Sequence, residues 1–253
     1  MNRISKEDLY KEHQPDVIRK RLNTTVKSQN ISDAILGSID GCVTTFAVVS
    51  GAFGAGFSST VALVLGFANL FADGFSMAVS NFESIKAQRE YIEDIIHNEE
   101  EHINRIPEGE REEIRQIFRN KGFEGAILEE IVNTISSNQK LWIETMLTEE
   151  HGVHKASANP WKSALVTFLA FLAAGSIPLL PLFYAEWEIE QQFITSAILA
   201  GMVFFSIGML KSILFRKPPL FSGLSTLLNG SMAAGLAYLT GYFLREAFGI
   251  LLV

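Results

Sequence analysis

The sequence predicts an all-α membrane protein that has five transmembrane helices and a cytoplasmic helical bundle inserted between the second and the third. One observation is that 48% of the 253 residues are hydrophobic and that they gather in long runs. Five runs reach at least about 19 residues with almost no charge, the length that crosses the ~30 Å hydrocarbon core of a bilayer. A second observation is that the charged residues gather between the second and third runs. The runs are residues 33–56, 57–82, 163–185, 192–210 and 219–244.

The distribution of Lys and Arg predicts the orientation in the membrane. Seven basic residues precede the first run, and Lys211, Arg216 and Lys217 lie between the fourth and fifth runs. Since cytoplasmic loops carry an excess of Lys and Arg, these segments are expected in the cytoplasm, together with the N-terminus. The segments 56–60 and 185–192 hold no basic residue and are expected outside.

Charge divides the chain into four predicted segments. The insert holds 17 of the 28 acidic residues and 9 of the 21 basic ones, a net charge of −8, whereas the rest sums to +1. The low isoelectric point is therefore a local property of this insert. The segments are a cytoplasmic N-terminal segment (1–30), transmembrane helices one and two (31–82), a cytoplasmic acidic metal-binding domain (83–160) and transmembrane helices three to five (161–253).

The insert is predicted to consist of helices. No Gly or Pro follows Phe82 before Pro107, so the second transmembrane helix is expected to continue into the insert and to end there. Gly122 and Gly152 are expected to close two later helices. Each short helix is expected to bury one apolar stripe, made in one case of Ile127, Leu128, Ile131 and Ile135.

Within the insert, pairs of metal-ligand residue types recur at helical spacing. Glu99 and His102 are three residues apart, as are Glu110 and Glu113, while Met146 and Glu150 are four apart. Helical bundles build di-iron and di-manganese sites from such pairs. Oxygen ligands with one nitrogen favour Fe(II), Mn(II) or Zn(II). The alternative, a solvated glutamate-rich surface, remains open at this point.

A second set of polar residues lies inside the first two hydrophobic runs. Asn69, Asp73 and Met77 follow one another at every fourth residue, which puts them on one helix face, and Asp40 lies well inside the first run. A charged residue at mid-membrane costs about 2.5–3.5 kcal/mol on insertion scales, and such residues usually face a cavity or a partner. The two carboxylates, the amide and the thioether are therefore predicted to line a path for a metal cation, although Met77 taken alone is more ordinarily explained by packing.

Small residues and prolines indicate how the predicted helices pack. Gly37 and Gly41 form a G-x-x-x-G motif around Asp40, which favours close helix packing and is common at helix dimer contacts. Pro178 and Pro181 predict a break near the outer end of the third transmembrane helix.

The stretch SDAILGSIDGCVTTFAVVSG, followed by GFANLFADGFSMAVSNF, resembles the first two membrane helices of the vacuolar iron transporter family, and the resemblance extends over about residues 30 to 250. It implies a dimer that exchanges Fe²⁺, and often Mn²⁺, for protons. It assigns the path carboxylate to Asp40 and the path thioether to Met77, and it matches the cytoplasmic ligands to Glu99, Glu110, Glu113, Met146 and Glu150. Two positions depart from the family pattern, since Asn69 and His102 stand where relatives carry glutamate.

The resulting hypothesis is a transporter that exports Fe²⁺ or Mn²⁺ from the cytoplasm in exchange for protons. It is expected to be a homodimer in the lipid bilayer, in the plasma membrane of a prokaryote or a vacuolar membrane of a eukaryote. No enzymatic activity, organic cofactor or nucleic-acid partner is expected. One alternative is a membrane-anchored metal-binding or ferroxidase-like bundle, and another is a structural membrane protein whose acidic bundle recruits a basic partner.

Overall fold

The computed structural model describes residues 5–22, 28–154, 158–215 and 218–248. The regular elements in these ranges are all helices. One short 3-10 helix, Ile177–Phe183, follows the eighth α-helix directly. The α-helices are α1 (Lys6–Glu12), α2 (Pro15–Leu22), α3 (Ser28–Gly54), α4 (Ser59–Arg105), α5 (Pro107–Asn120), α6 (Gly125–Ser136), α7 (Gln139–Glu149), α8 (Pro160–Ser176), α9 (Ile189–Phe215) and α10 (Pro219–Phe248).

The chain divides into two compact units. The apolar unit comprises the described residues of Met1–Asn81 and Trp161–Val253, and the acidic unit comprises those of Phe82–Pro160. Helix α4 runs through the boundary without interruption, so its first part belongs to the apolar unit and the remainder to the acidic unit.

In the described ranges, four segments are long and apolar enough to cross a membrane: Gln29–Gly54, Ser59–Arg105, Pro160–Phe183 and Ile189–Ser212. They correspond to the first four of the predicted runs, three of which extend two residues beyond a segment end. The fifth run lies in α10, a helix of 30 residues that is not among these segments and in which Gly, Ser, Thr and Asn interrupt the hydrophobic residues. Length and composition together therefore identify four spans, and the fifth stays a prediction.

Glycines allow the helices of the apolar unit to approach closely. A Cβ atom at Gly37 or Gly41 would lie less than 3 Å from the backbone oxygen of Thr167 or Phe171 of α8. The G-x-x-x-G motif of α3 therefore contacts another helix of the same chain, and its side of α3 is not available to a second copy. From the first contact to the second, the residue number increases by four on both helices, so α3 and α8 run parallel.

The predicted break after the third span is confirmed. Helix α8 ends at Ser176, and the 3-10 helix that follows contains both Pro178 and Pro181. Proline has no N–H to donate to the preceding turn, so an α-helix cannot continue through this segment undisturbed. The carbonyl oxygen of Pro178 accepts a hydrogen bond from the hydroxyl of Ser196 at 2.6 Å, which ties the segment to α9.

In the acidic unit, the helices end where the sequence predicts. Helix α4 ends at Arg105, just before Pro107, and Gly122 and Gly152 follow α5 and α7 with positive φ angles of 94° and 64°, which favour glycine. The core is formed by the buried faces of α4 to α7. The predicted stripe of α6 is wrong at Ile127, which is 62% exposed, because the buried face runs through Leu128, Val132 and Ile135 instead.

Candidate metal centre

Helix α4 buries a carboxylate on the face that otherwise carries apolar side chains. Ile92, Ile95 and Ile103 are buried on one face of α4. Glu99 lies four residues before Ile103 and four after Ile95, on the same face, and is only 3% exposed. Burying an ionised carboxylate is costly unless an opposite charge or hydrogen bonds compensate it.

Helix α5 likewise buries the carboxylate of Glu110. This residue is 1% exposed and lies four residues before the fully buried Ile114. In both glutamates the second carboxylate oxygen, Oε2, is buried and has no hydrogen-bond partner among the described residues. Two buried acceptors are thus left available for a ligand that carries positive charge or donates hydrogen bonds.

Each of these two carboxylates has one imidazole beside it. Nδ1 of His102 lies 3.3 Å from Oε1 of Glu110, and His102 itself is 55% exposed. Nε2 of His151 lies 2.9 Å from Oε1 of Glu99. The Glu99 and Glu110 carboxylates are therefore each oriented by a nitrogen that is also a good metal ligand.

Glu113 and Glu150 complete a group of four carboxylates. Burial raises the pKa of Glu110 to about 7, with further increases from the negative charges of Glu113 and Glu99, and His102 acts in the opposite direction. Burial of its carboxylate, followed by Glu113 and Glu99, also raises the pKa of Glu150, although 41% of its side chain is exposed. The carboxylates thus repel one another, and a bound cation would relieve this repulsion.

The structure brings five of the predicted ligands of the acidic unit together. Glu99, His102, Glu110, Glu113 and Glu150 interact with one another electrostatically. Met146 lies one helical turn before Glu150 but is fully buried in the hydrophobic core of the unit. It packs in this core, and its role as a ligand stays a prediction.

His151 is the residue that the sequence pattern missed. Its ring nitrogen, a Glu99 oxygen and a Glu150 oxygen all lie within 4.8 Å of one another, which is close enough to ligate one ion. His151 follows the end of α7, where the i+3 and i+4 spacing rules of helices no longer apply. The only sequence signal was the concentration of histidines in the insert.

In the apolar unit, Asp40 of α3 and Asp73 of α4 are neighbours. Nδ2 of Asn81 donates a hydrogen bond to Oδ1 of Asp33 at 3.2 Å, which fixes the start of α3 beside the middle of α4. Because the two helices are antiparallel, seven residues further along α3 and about seven back along α4 bring Asp40 to Asp73. The two half-buried carboxylates interact electrostatically.

The other predicted path residues lie on the same face of α4. Asn69 is half-buried and its Nδ2 atom has no partner within the described part of the chain. Met77 is also half-buried and packs against the hydrophobic core of the apolar unit. Asn69, Asp73 and Met77 thus form a continuous polar and thioether row, with Asp40 opposite.

Asp33 was not among the predicted site residues, yet it is 2% exposed. Its Oδ1 atom accepts hydrogen bonds from Asn81 and from Gln29 of its own helix, and Asn81 also donates to the hydroxyl of Thr167 at 2.8 Å. Asn81, through Asp33 and Thr167, therefore ties α4 to α3 and α8 at one end of the row.

Comparison with known proteins identifies the family. A model described as the VIT family matches residues 31–242. A protein named vacuolar iron transporter from Toxoplasma gondii (strain ATCC 50861 / VEG) is 30% identical over 251 residues, 96% of this chain and 82% of the relative. Its namesake in Plasmodium falciparum (isolate 3D7) is 30% identical over 88% of this chain and 85% of its own. Vacuolar iron transporter 1 of Arabidopsis thaliana is 27% identical over 82% of this chain and 83% of its own. Because the family model covers most of the chain, from the start of α3 into α10, the chain belongs to the VIT family.

Proposed function

We propose that the protein is a transporter of divalent transition metals, which exports Fe²⁺, with Mn²⁺ as a second substrate, from the cytoplasm in exchange for protons. The observation that carries this proposal is the pair of buried carboxylates, Glu99 and Glu110, each with one oxygen left without a hydrogen bond. The names of the relatives, all of them vacuolar iron transporters, agree with such a cargo.

The acidic unit is the proposed loading site. Glu99, His102, Glu110, Glu113 and Glu150 supply oxygen and nitrogen donors, a set suited to Fe(II), Mn(II) and Zn(II). Removal of the cation would leave the carboxylates mutually repelling, so binding is favoured most when the group is ionised. On this proposal the unit binds no organic cofactor and catalyses no reaction.

The row in the apolar unit is the proposed path. Asp40 and Asp73 face one another and have no Lys or Arg in their hydrophobic runs to neutralise them. At mid-membrane such carboxylates are stable either protonated or beside a cation. A proton and a metal cation therefore compete for the same carboxylates, and this competition is the physical basis for metal and proton exchange at one site. Met77 supplies a soft sulfur, which disfavours Mg²⁺ and Ca²⁺.

We further propose five spans, with α10 as the fifth, and a cytoplasmic N-terminus. Helix α10 packs against α3 and α9, and it exposes large apolar side chains such as Leu224, Leu228 and Leu236. These are suited to contact with lipid. The functional form is proposed to be a homodimer in a plasma or vacuolar membrane.

The test is metal uptake into proteoliposomes. We expect Fe²⁺ and Mn²⁺ to enter when a pH gradient is imposed, with a matching proton flux, and uptake to fall at least about tenfold in Asp40→Ala, because that variant removes a group that must bind cargo and proton in turn. Glu186→Ala, which alters an exposed carboxylate outside the row, is the matched control. Uptake by Asp40→Ala equal to that of Glu186→Ala would contradict the path.

A ferroxidase-like role is the second candidate. Four glutamates and two histidines, with Glu99 and His102 at E-x-x-H spacing, correspond to the donor set of di-iron carboxylate bundles. This role predicts that Fe³⁺ forms catalytically from Fe²⁺ in air, measured by absorbance, and that Glu99→Gln abolishes it. The transporter proposal instead predicts uptake under anaerobic conditions, with iron remaining Fe²⁺.

A further inference from the structure

The turn after α7 holds His151 in a defined position. Met146 O accepts hydrogen bonds from the backbone N–H groups of Glu150 and His151, at 2.9 and 3.2 Å, and Val153 N–H donates to Leu147 O at 2.9 Å. Gly152 supplies the positive φ angle that the turn requires. The imidazole is therefore placed beside Glu99 by hydrogen bonds of the backbone, before any ion binds.

The side-chain geometry brings His151, Glu99 and Glu150 within reach of one ion. Nε2 of His151 lies 2.9 Å from Oε1 of Glu99 and 3.7 Å from Oε2 of Glu150, and one ligand atom from each of the three residues lies within 4.8 Å of the other two. The imidazole of His102 lies 3.3 Å from Oε1 of Glu110 and forms a pair with that carboxylate. Oε2 of Glu99 is buried and has no hydrogen-bond partner in the described ranges.

The charge of the cluster favours the binding of cations. Its four carboxylates, Glu99, Glu110, Glu113 and Glu150, carry four negative charges when all are ionised. One divalent cation would balance half of this charge, and two would balance all of it. Since the histidines ligate as neutral groups, they add donors without adding charge.

We propose that His151 is a metal ligand: with Glu99 and Glu150 it forms an imidazole-containing position, and it biases the acidic unit toward late transition metals. This inference rests on the proposed loading role of the acidic unit and names a residue that sets its metal preference. Imidazole favours Fe, Co, Ni, Cu and Zn, whereas carboxylates suit Mn, Mg and Ca. Loss of the imidazole should therefore weaken Co²⁺ binding more than Mn²⁺ binding.

The experiment measures Co²⁺ and Mn²⁺ binding to the full chain in detergent, by equilibrium dialysis with metal analysis. We expect at least one Co²⁺ ion per chain that requires the cluster. His151→Ala should raise the dissociation constant of this ion at least about tenfold, as even the loss of an outer partner of a metal ligand does. The Mn²⁺ constant should rise by a smaller factor. His154→Ala, three residues away and exposed, is the matched control and should leave both constants unchanged.

A purely structural role for His151 makes a different prediction. His151→Gln can still donate a hydrogen bond to Glu99 but is a poor ligand, so binding restored by Gln would overturn the proposal, and loss in both variants supports it. Equal constants for His151→Ala and His154→Ala would also overturn it. The loading role is tested separately with the Glu99→Gln/Glu110→Gln variant, and it stands if this variant no longer binds metal at the cluster. If that double variant binds as much metal as the wild type, the loading role itself fails.

Discussion

Among single residues, Glu110 shows how burial couples a proton to folding. Burial, Glu113 and Glu99 raise its pKa from the ordinary 4.5 to about 7, so between these values the folded chain binds the proton and the unfolded chain releases it. Stability that depends on Glu110 is therefore present below about pH 4.5 and lost as the pH rises toward 7.

We accordingly expect the unfolding temperature of the metal-free chain to fall between pH 4.5 and pH 7, and Glu110→Gln to remove part of that fall. Circular dichroism of the full chain in detergent with a chelator measures both. Glu130→Gln, on the exposed side of α6, is the control and should keep the wild-type slope. A Glu110→Gln curve parallel to the wild type would show that Glu110 is not the group responsible.

The ligand residues illustrate what spacing along the sequence does and does not predict. Glu99, His102, Glu110 and Glu113 lie within regular helices, so their i+3 pairs already indicated which side chains share a face. Glu99 and Glu110 occupy core positions because of the way α4 and α5 pack, and spacing along the sequence does not predict this packing. His151 was missed because a turn places it, and Ile127 was misassigned because α6 buries a face rotated by one residue.

At the scale of helices, close contacts at glycine decide how α3 packs. Gly41→Ala would put a Cβ atom against the backbone oxygen of Phe171, which no rotamer change can relieve. We expect a loss of about 1–3 kcal/mol of stability, typical of an overpacked contact. Gly235→Ala is the matched control, since nothing lies within 4 Å of its added Cβ atom, and it should stabilise α10 by up to ~1 kcal/mol.

Thermal unfolding of the two glycine variants in one detergent gives the comparison. A Gly41→Ala midpoint at or above that of Gly235→Ala would mean that α3 and α8 separate easily. The G-x-x-x-G motif was recognisable in the sequence, but its partner was not, because the motif states only that a helix approaches. Helix ends were more predictable, since proline and glycine determine them locally at Pro107, Gly122 and Gly152.

At the scale of the whole molecule, the proposed dimer needs a surface that the single chain leaves uncovered. The G-x-x-x-G side of α3 is occupied by α8. Helix α4, in contrast, exposes a stripe of small residues at every fourth position, next to the row that contains Asp73. Small residues favour close helix contacts in membranes. The stripe consists of Ala68, Ala72, Ser76 and Ser80.

We therefore expect Ala72→Cys to form a disulfide-linked dimer in membranes when an oxidant is added, visible as a band of twice the mass on a non-reducing gel. The natural Cys42 is fully buried and gives no background. Met202→Cys, on the exposed face of α9, is the control and should remain monomeric. Linking through Met202→Cys with none through Ala72→Cys would place the interface elsewhere.

The fold class followed from the sequence because apolar length and charge separation are properties of composition, and four of the five predicted runs meet both criteria as helices. The fifth, in α10, shows where this argument weakens, since glycine and hydroxyl side chains that serve packing also lower the hydropathy. Contacts between distant segments, such as that between Asp33 and Asn81, had no signal in a single sequence.

The buried Trp142 gives this protein an optical property of its own. It is the single tryptophan of the acidic unit and lies in the same core as Met146, whose next turn carries Glu150 and His151. Trp161 and Trp187, the two others, belong to the apolar unit and are exposed. Paramagnetic ions quench nearby indole emission, and a buried indole emits at shorter wavelength than an exposed one. The short-wavelength part of the emission spectrum should consequently decrease in intensity when Fe²⁺ or Co²⁺ binds, so that metal binding to the unlabelled chain can be followed in real time.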